Sequence, residues 1–202
     1  MLKYFQEGSN KEYKMPLKKK MVYNEHLNPD RLKTLVLYIC YLAKDPSVLG
    51  ATKLNKILWY SDVLSYRDRG KSLTGETYIK HLYGPVPIHI DSAVQRLQDE
   101  EKLAVREVDA WGYPKKEFFA LSKPELSEFD PEEISIVNEV ANYIFDRHTA
   151  SSISNLSHDE VWQSAELGEE IPVYAFLASE LGEITLEDIS WAKQKLSESA
   201  SQ

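Results

Sequence analysis

Asn28–Leu64 reads NPDRLKTLVLYICYLAKDPSVLGATKLNKILWYSDVL, and this stretch decides the fold class. Asn28 is a favoured N-cap, and Pro29 fits the first helical turn, where its missing N–H is not needed. Leu32, Leu35, Val36, Ile39, Leu42 and Ala43 then recur at three- and four-residue spacing, the signature of one apolar helix face. Asp45-Pro46 stops that helix. Gly50 and the cap-competent Thr52 introduce a second, with Leu54, Ile57, Leu58 and Leu64 in helical register, running through Trp59 and Tyr60 to Gly70. Two helices joined by about seven residues are expected to pack against each other.

Outward from this pair the chemistry changes. Thr77, Tyr78, Ile79 and Leu82 favour extended structure. In His81-Leu82-Tyr83-Gly84-Pro85-Val86-Pro87, two prolines flank Val86, bar a helix and hold the backbone extended or turned. From Ile88 a third helix carries Ile90, Ala93, Val94 and Leu97 on one face. Leu103–Val108 and Lys116–Leu121 bracket a turn-rich loop holding Trp111 and Tyr113, which predicts a hairpin. Asp130-Pro131-Glu132-Glu133 opens another helix, buried through Val137, Val140, Ala141 and Ile144. Ser157-His158-Asp159-Glu160 has capping-box spacing before Val161 and Trp162. Pro172 starts a short segment, and Thr185–Asp188 caps a last helix ending near residue 196. The sum is a mainly α (α+β) fold, a compact bundle of about six helices with one small antiparallel β element. It is expected over residues 27–196, between a poorly ordered basic arm (1–26) and a disordered tail (197–202).

Composition narrows the function. The chain has 202 residues, 43% apolar and 28% charged, ordinary for a globular domain. Its longest apolar run, Leu35 to Ala43, is far short of the ~20 residues a membrane helix needs, and the N-terminus lacks an apolar signal region. Cys40, the single cysteine, sits among apolar neighbours and reads as a buried filler, so the cytoplasm is the expected compartment. Net charge is −8, which argues against a blanket attraction to phosphate backbones. Residues 1–23 nevertheless hold six lysines against Glu7 and Glu12, so a short basic arm precedes an acidic body.

Catalytic readings fare poorly. Of five histidines only His81 and His89 lie near each other in the chain, with no zinc spacing, so no metal is expected. Ser157, His158 and Asp159 are adjacent, whereas a triad needs groups converging from separate elements, and capping accounts for Ser157 and Glu160. No glycine-rich phosphate loop exists, so no cofactor is expected. Asp91, Glu100 and Lys102 match a nuclease pattern in letters, but one helix would place the two acids on roughly opposite faces. The stiff Tyr83–Pro87 loop reads either as a fixed turn between helices or as a preorganised recognition surface.

Three blocks resemble those of the Panacea (SocA-like) antitoxins. Thr52-Lys53-Leu54-Asn55-Lys56-Ile57-Leu58-Trp59-Tyr60-Ser61-Asp62 is similar to the family's T-K-L-x-K-L-L-Y-x-x-D signature. His81–Pro87 is similar to its Y/H-G-P-V-P element, and Leu156-Ser157-His158-Asp159-Glu160, followed by Trp162, resembles its L-S-H-x-E-x-x-W block. The blocks occur in the family's order. Trp59 stands where an aliphatic or aromatic residue is usual, and the lysine-rich arm looks like an addition. The resemblance implies a bacterial or phage antitoxin that neutralises a protein toxin by direct contact, by masking it or presenting it to a protease, without catalysis. The expected partner-binding residues are Trp59, Tyr60, Tyr78, His81, Tyr83, Gly84, Pro85, Val86, Pro87, Trp111 and Tyr113, since aromatics with little side-chain freedom are favoured anchors. The alternative is a winged-helix-like DNA-binding regulator, the third helix and the hairpin acting as recognition helix and wing. Against it, Arg96 is outnumbered there by Asp91, Asp99, Glu100 and Glu101.

Overall fold

The structure, a computed structural model, describes residues 27–110 and 112–176. The basic arm, Trp111, the expected helix near 185–196 and the tail lie outside the described residues.

Helix α1 (Pro29–Leu42) starts where the sequence places it: the Asn28 side chain accepts hydrogen bonds from the Asp30 and Arg31 amides. A 3₁₀ turn at Pro46–Val48, capped by Asp45, leads to α2 (Ala51–Arg69). Gly50, not Thr52, is the N-cap of α2, so Thr52 lies inside the first turn. Gly70, at φ 72°, ends the helix in the left-handed region that suits glycine. Helix α2 is wrapped on nearly every side, and even Lys53, Lys56, Ser61, Asp62 and Ser65 are buried. That makes it the axis of the molecule rather than an amphipathic surface helix.

The segment read as a stiff turn is part of a hairpin. Strand β1 (Tyr78–His81) pairs with β2 (Gly84–Pro87) from Tyr78↔Pro87 to His81↔Gly84. Two prolines fit β2 because it is an edge strand. The sheet order is β2-β1-β5, with β5 (Glu170–Ile171) on the far edge of β1. This three-stranded sheet adds to the expected hairpin, in which β3 (Leu103–Ala110) pairs with β4 (Tyr113–Ala120) from Leu103↔Ala120 to Ala110↔Tyr113. Between the two sheets α3 (Ile90–Asp99) begins two residues later than its apolar pattern suggests.

Helix α4 (Pro131–Arg147) opens with a full capping box between Asp130 and Glu133. Thr149 and Ser152 form a second box at the start of α5 (Ala150–Leu156), a helix the sequence pattern did not single out. Helix α6 (Glu160–Ser164) is capped by Asp159, which accepts from the Trp162 amide. Ser157 instead closes α5, and its hydroxyl donates to the Ser154 carbonyl at 2.7 Å. The capping-box reading of Ser157 and Glu160 is therefore corrected, and Ser157 is freed for another role. Leu32, Val36 and Ile39 of α1, Ile57, Leu58 and Trp59 of α2, and Val137, Ala141 and Ile144 of α4 belong to one continuous apolar core.

Candidate functional site

The three sequence blocks meet at one point. Lys56, 1% exposed, donates from Nζ to the Pro85 carbonyl at 2.7 Å, tying α2 to β2. Burial pulls its amine down to about 7, because a charged ammonium there has lost its water. Gly84 sits at φ 94°, and a methyl group on it would overlap Ser157 Oγ and lie 2.5 Å from Lys56 Cε. Ser157, also 1% exposed, thus packs from α5 against the same glycine. Only glycine satisfies both the backbone angle and the crowding.

The hairpin is pinned from below as well. Asp62 is fully buried and accepts four hydrogen bonds: from the Leu73 amide (2.7 Å), the Thr74 amide (3.1 Å), Thr74 Oγ1 (2.6 Å) and the Tyr78 hydroxyl (2.7 Å). Burial pushes its carboxyl up to about 6 against the pull of those donors. The Trp59 ring meets Tyr78 edge-on at 4.9 Å. Glu76 accepts from the Thr77 and His89 amides and pairs with His89 Nδ1 at 2.9 Å, fixing the hairpin's open end. At the tip end, the Trp162 indole donates to the His81 carbonyl at 3.2 Å, stacks on His158 at 3.7 Å, and lies 4.2 Å from Lys80 Nζ.

What this frame holds out is short and apolar. His81, Leu82 and Tyr83 are exposed at the tip, Leu82 and Tyr83 at 61% each. Leu167, 65% exposed, belongs to the turn alongside, where the Gly168 amide donates to the Lys80 carbonyl. Exposed Glu160, Glu166, Glu169 and Glu170 surround this patch in sequence and in the β1–β5 pairing. Beside the tip runs a groove of about 210 Å³ whose walls include Leu54, Val86, Ile90, Val94 and Phe118. Asn55, His81, Tyr83, Asp91 and Lys116 also line it.

The expected contact residues divide sharply. Trp59, Tyr60 and Tyr78 are 1%, 4% and 0% exposed and offer no surface to a partner; they hold the frame up. Gly84, Pro85 and Pro87 are buried and Val86 half-buried. His81 and Tyr83 face solvent. Trp111 lies outside the described residues, and Tyr113 begins β4. Sequence reasoning passed over Lys56, Asp62 and Ser157 as structural elements, and Leu82 as a surface residue. A lysine three and four residues from Lys53 and Tyr60 on a helix without a polar face was the available signal for Lys56.

The nuclease constellation does not assemble. His81 and Asp91 share the groove, but Glu100 caps the far end of α3 and pairs with Lys33 at 2.5 Å and Lys102 at 2.7 Å. Among the described residues no group of three or more His, Cys, Asp and Glu side chains could hold a metal ion. Cys40 is buried, and burial drives its thiol up to about 12, an inert filler at neutral pH.

Among the described residues no helix is long and apolar enough to cross a membrane. No curated protein and no solved structure matches the chain. The family model of the antitoxin SocA-like, Panacea domain matches residues 54–163, from the first turn of α2 to α6. That span contains the whole Lys56–Gly84–Ser157 junction and more than half of the 202 residues, and the chain belongs to the SocA-like Panacea antitoxin-domain family.

Proposed function

We propose that this chain is an antitoxin that neutralises a protein toxin by direct contact through the tip of the β1–β2 hairpin, without making or breaking a bond. The observation that carries this reading is the contrast between a buried, cross-braced frame and an exposed apolar tip. Leu82 and Tyr83 are largely exposed on a hairpin held by Lys56, Asp62 and Trp162. Such a tip loses little conformational freedom on binding, so more of its contact energy reaches affinity. Tyrosine and leucine contribute anchoring area, and the surrounding glutamates steer a basic partner toward it. Neutralisation in the cytoplasm by masking follows most simply from this geometry; delivery of the toxin to a protease would use the same contact.

A second reading, DNA binding through α3 and the β3–β4 hairpin, draws on their direct succession. The outer face of α3 presents Asp91, Ser92, Gln95 and Asp99, and Arg96 is paired with Asp30 at 2.8 Å. A phosphate backbone finds little to hold there. Coexpression with the product of the adjacent gene separates the readings. The antitoxin reading expects growth rescue by this chain and copurification of the two proteins. A neighbour that stays toxic and unbound, together with salt-sensitive binding of this chain to its own promoter, would favour DNA.

A further inference from the structure

We propose that the amino end of helix α2 binds a dianionic phosphoryl group, carried by inorganic phosphate or by a small phosphate monoester. Among the described residues no side chain caps that end. Gly50 is the N-cap and brings no acceptor, and the first turn contains no acid. The opening amides of a helix lack intrahelical acceptors and carry the positive end of its dipole. A second observation is independent of the backbone. Lys53, in that first turn, is 8% exposed and has neither a hydrogen bond nor an ion pair among the described residues. The Cα–Cβ bond of a helical residue tilts toward the start of its helix, so the Lys53 side chain leans over the uncapped turn. A buried cation at a positive helix end is unfavourable until an anion arrives.

The neighbours add to the excess of positive charge. Lys115 crosses the N-cap, its Cε 3.6 Å from where a methyl group on Gly50 would stand. Burial and then Lys115 pull the Lys53 ammonium below its usual range. Burial and then Lys53 do the same to the His148 imidazole, whose Nε2 is buried without a hydrogen-bond partner. The carboxylates near Lys115 are engaged elsewhere: Asp45 caps the 3₁₀ turn, and Glu117 is shared between Arg106 and Lys115. Thr52 adds a hydroxyl with no partner among the described residues. A phosphoryl dianion has enough oxygens and charge for the opening amides, this hydroxyl and the Lys53 ammonium together; a carboxylate has one charge and two oxygens. Ala51 and Thr52 line the groove beside the hairpin tip, so the turn is open to a ligand. Within that groove Lys116 favours an anion and Asp91 opposes one. The site does not depend on the proposed function.

The test uses the full, ¹⁵N-labelled chain at constant ionic strength with inorganic phosphate, phenyl phosphate and acetate as probes. Phosphate is expected to saturate with a dissociation constant on the order of millimolar and acetate to bind roughly tenfold more weakly. The largest amide shifts should fall at Ala51, Thr52 and Lys53. Phenyl phosphate binding more tightly, with added shifts at Val86 and Ile90, assigns the site to an ester whose body lies in the groove. Equal or weaker binding assigns it to the free ion. Lys53→Met should weaken phosphate about tenfold. Thr52→Asp guards against misfolding, because an acid in the first turn suits the dipole. It should raise the melting temperature while abolishing phosphate binding. The proposal is overturned by the absence of a saturable shift in a folded chain, or by acetate binding as tightly as phosphate. Shifts confined to Lys18, Lys19 and Lys20 of the basic arm, or undiminished binding by either folded variant, overturn it equally.

Discussion

Lys56 Nζ and the Pro85 carbonyl oxygen stand 2.7 Å apart inside a junction closed to water, and Lys56 forms no ion pair among the described residues. Among the described residues a single hydrogen bond thus holds a buried amine between the central helix and the hairpin. The arrangement stiffens the tip at the expense of the amine's charge.

That relationship makes stability depend on pH. Unfolded Lys56 keeps its proton to about pH 10.4, whereas burial brings the folded amine down to about 7. The unfolded chain therefore binds more protons between those values, and stability rises with pH across them. The contribution is complete above the unfolded value and lost as pH falls through 7. Urea denaturation between pH 7 and 8 should show a gain of about 1 kcal/mol that Lys56→Met abolishes. The window stops short of the range where buried Cys40, Tyr60 and Tyr78, whose thiol and hydroxyls are pushed up by burial, would reverse the trend.

Gly84→Ala is expected to cost about 2–4 kcal/mol, from the positive φ and the overlap with Ser157 and Lys56. Combining it with Ser157→Gly should recover part of that loss, because the second change removes the hydroxymethyl group in the way. A thermodynamic cycle from denaturation midpoints checks the coupling, and strict additivity would mean that the two residues do not meet.

Asp62→Ala leaves the Leu73 and Thr74 amides and the Thr74 and Tyr78 hydroxyls without their shared acceptor. A loss of about 3–5 kcal/mol is expected, with faster hydrogen exchange at Leu73 and Thr74 than at the α4 amides. Uniformly accelerated exchange would show that Asp62 serves the whole core rather than the hairpin.

The aromatic residues near the hairpin should separate by burial. Trp59→Ala should cost about 3–5 kcal/mol and reduce rescue through loss of fold. Leu82→Ser should leave stability within about 0.5 kcal/mol while weakening rescue. Parallel melting curves and growth assays read the two effects apart.

Much of this architecture was legible in the residues. The caps at Asn28 and Asp130 and the apolar periods of α1 and α4 fixed those helices, because local backbone chemistry decides them. The hairpin of β1 and β2 was not legible, since proline marks a stretch as non-helical without saying what lies beside it. Its partners, Lys56 and Ser157, come from residues 28 and 73 positions away from Gly84, and no local pattern records such a meeting. The aromatics Trp59, Tyr60 and Tyr78 look like interface anchors on paper for the same reason. Only tertiary structure shows that α2 is enclosed. Ser157 misled through its spacing to Glu160, where Asp159 took the cap instead.

The most direct measurement is calorimetric titration of the purified adjacent-gene product into this chain and into its Leu82→Ser/Tyr83→Ser variant. A tip that docks the partner predicts one-to-one binding by the unaltered chain and a loss of roughly a hundredfold in the variant, whose melting temperature stays the same. Unchanged affinity in that folded variant would contradict the account.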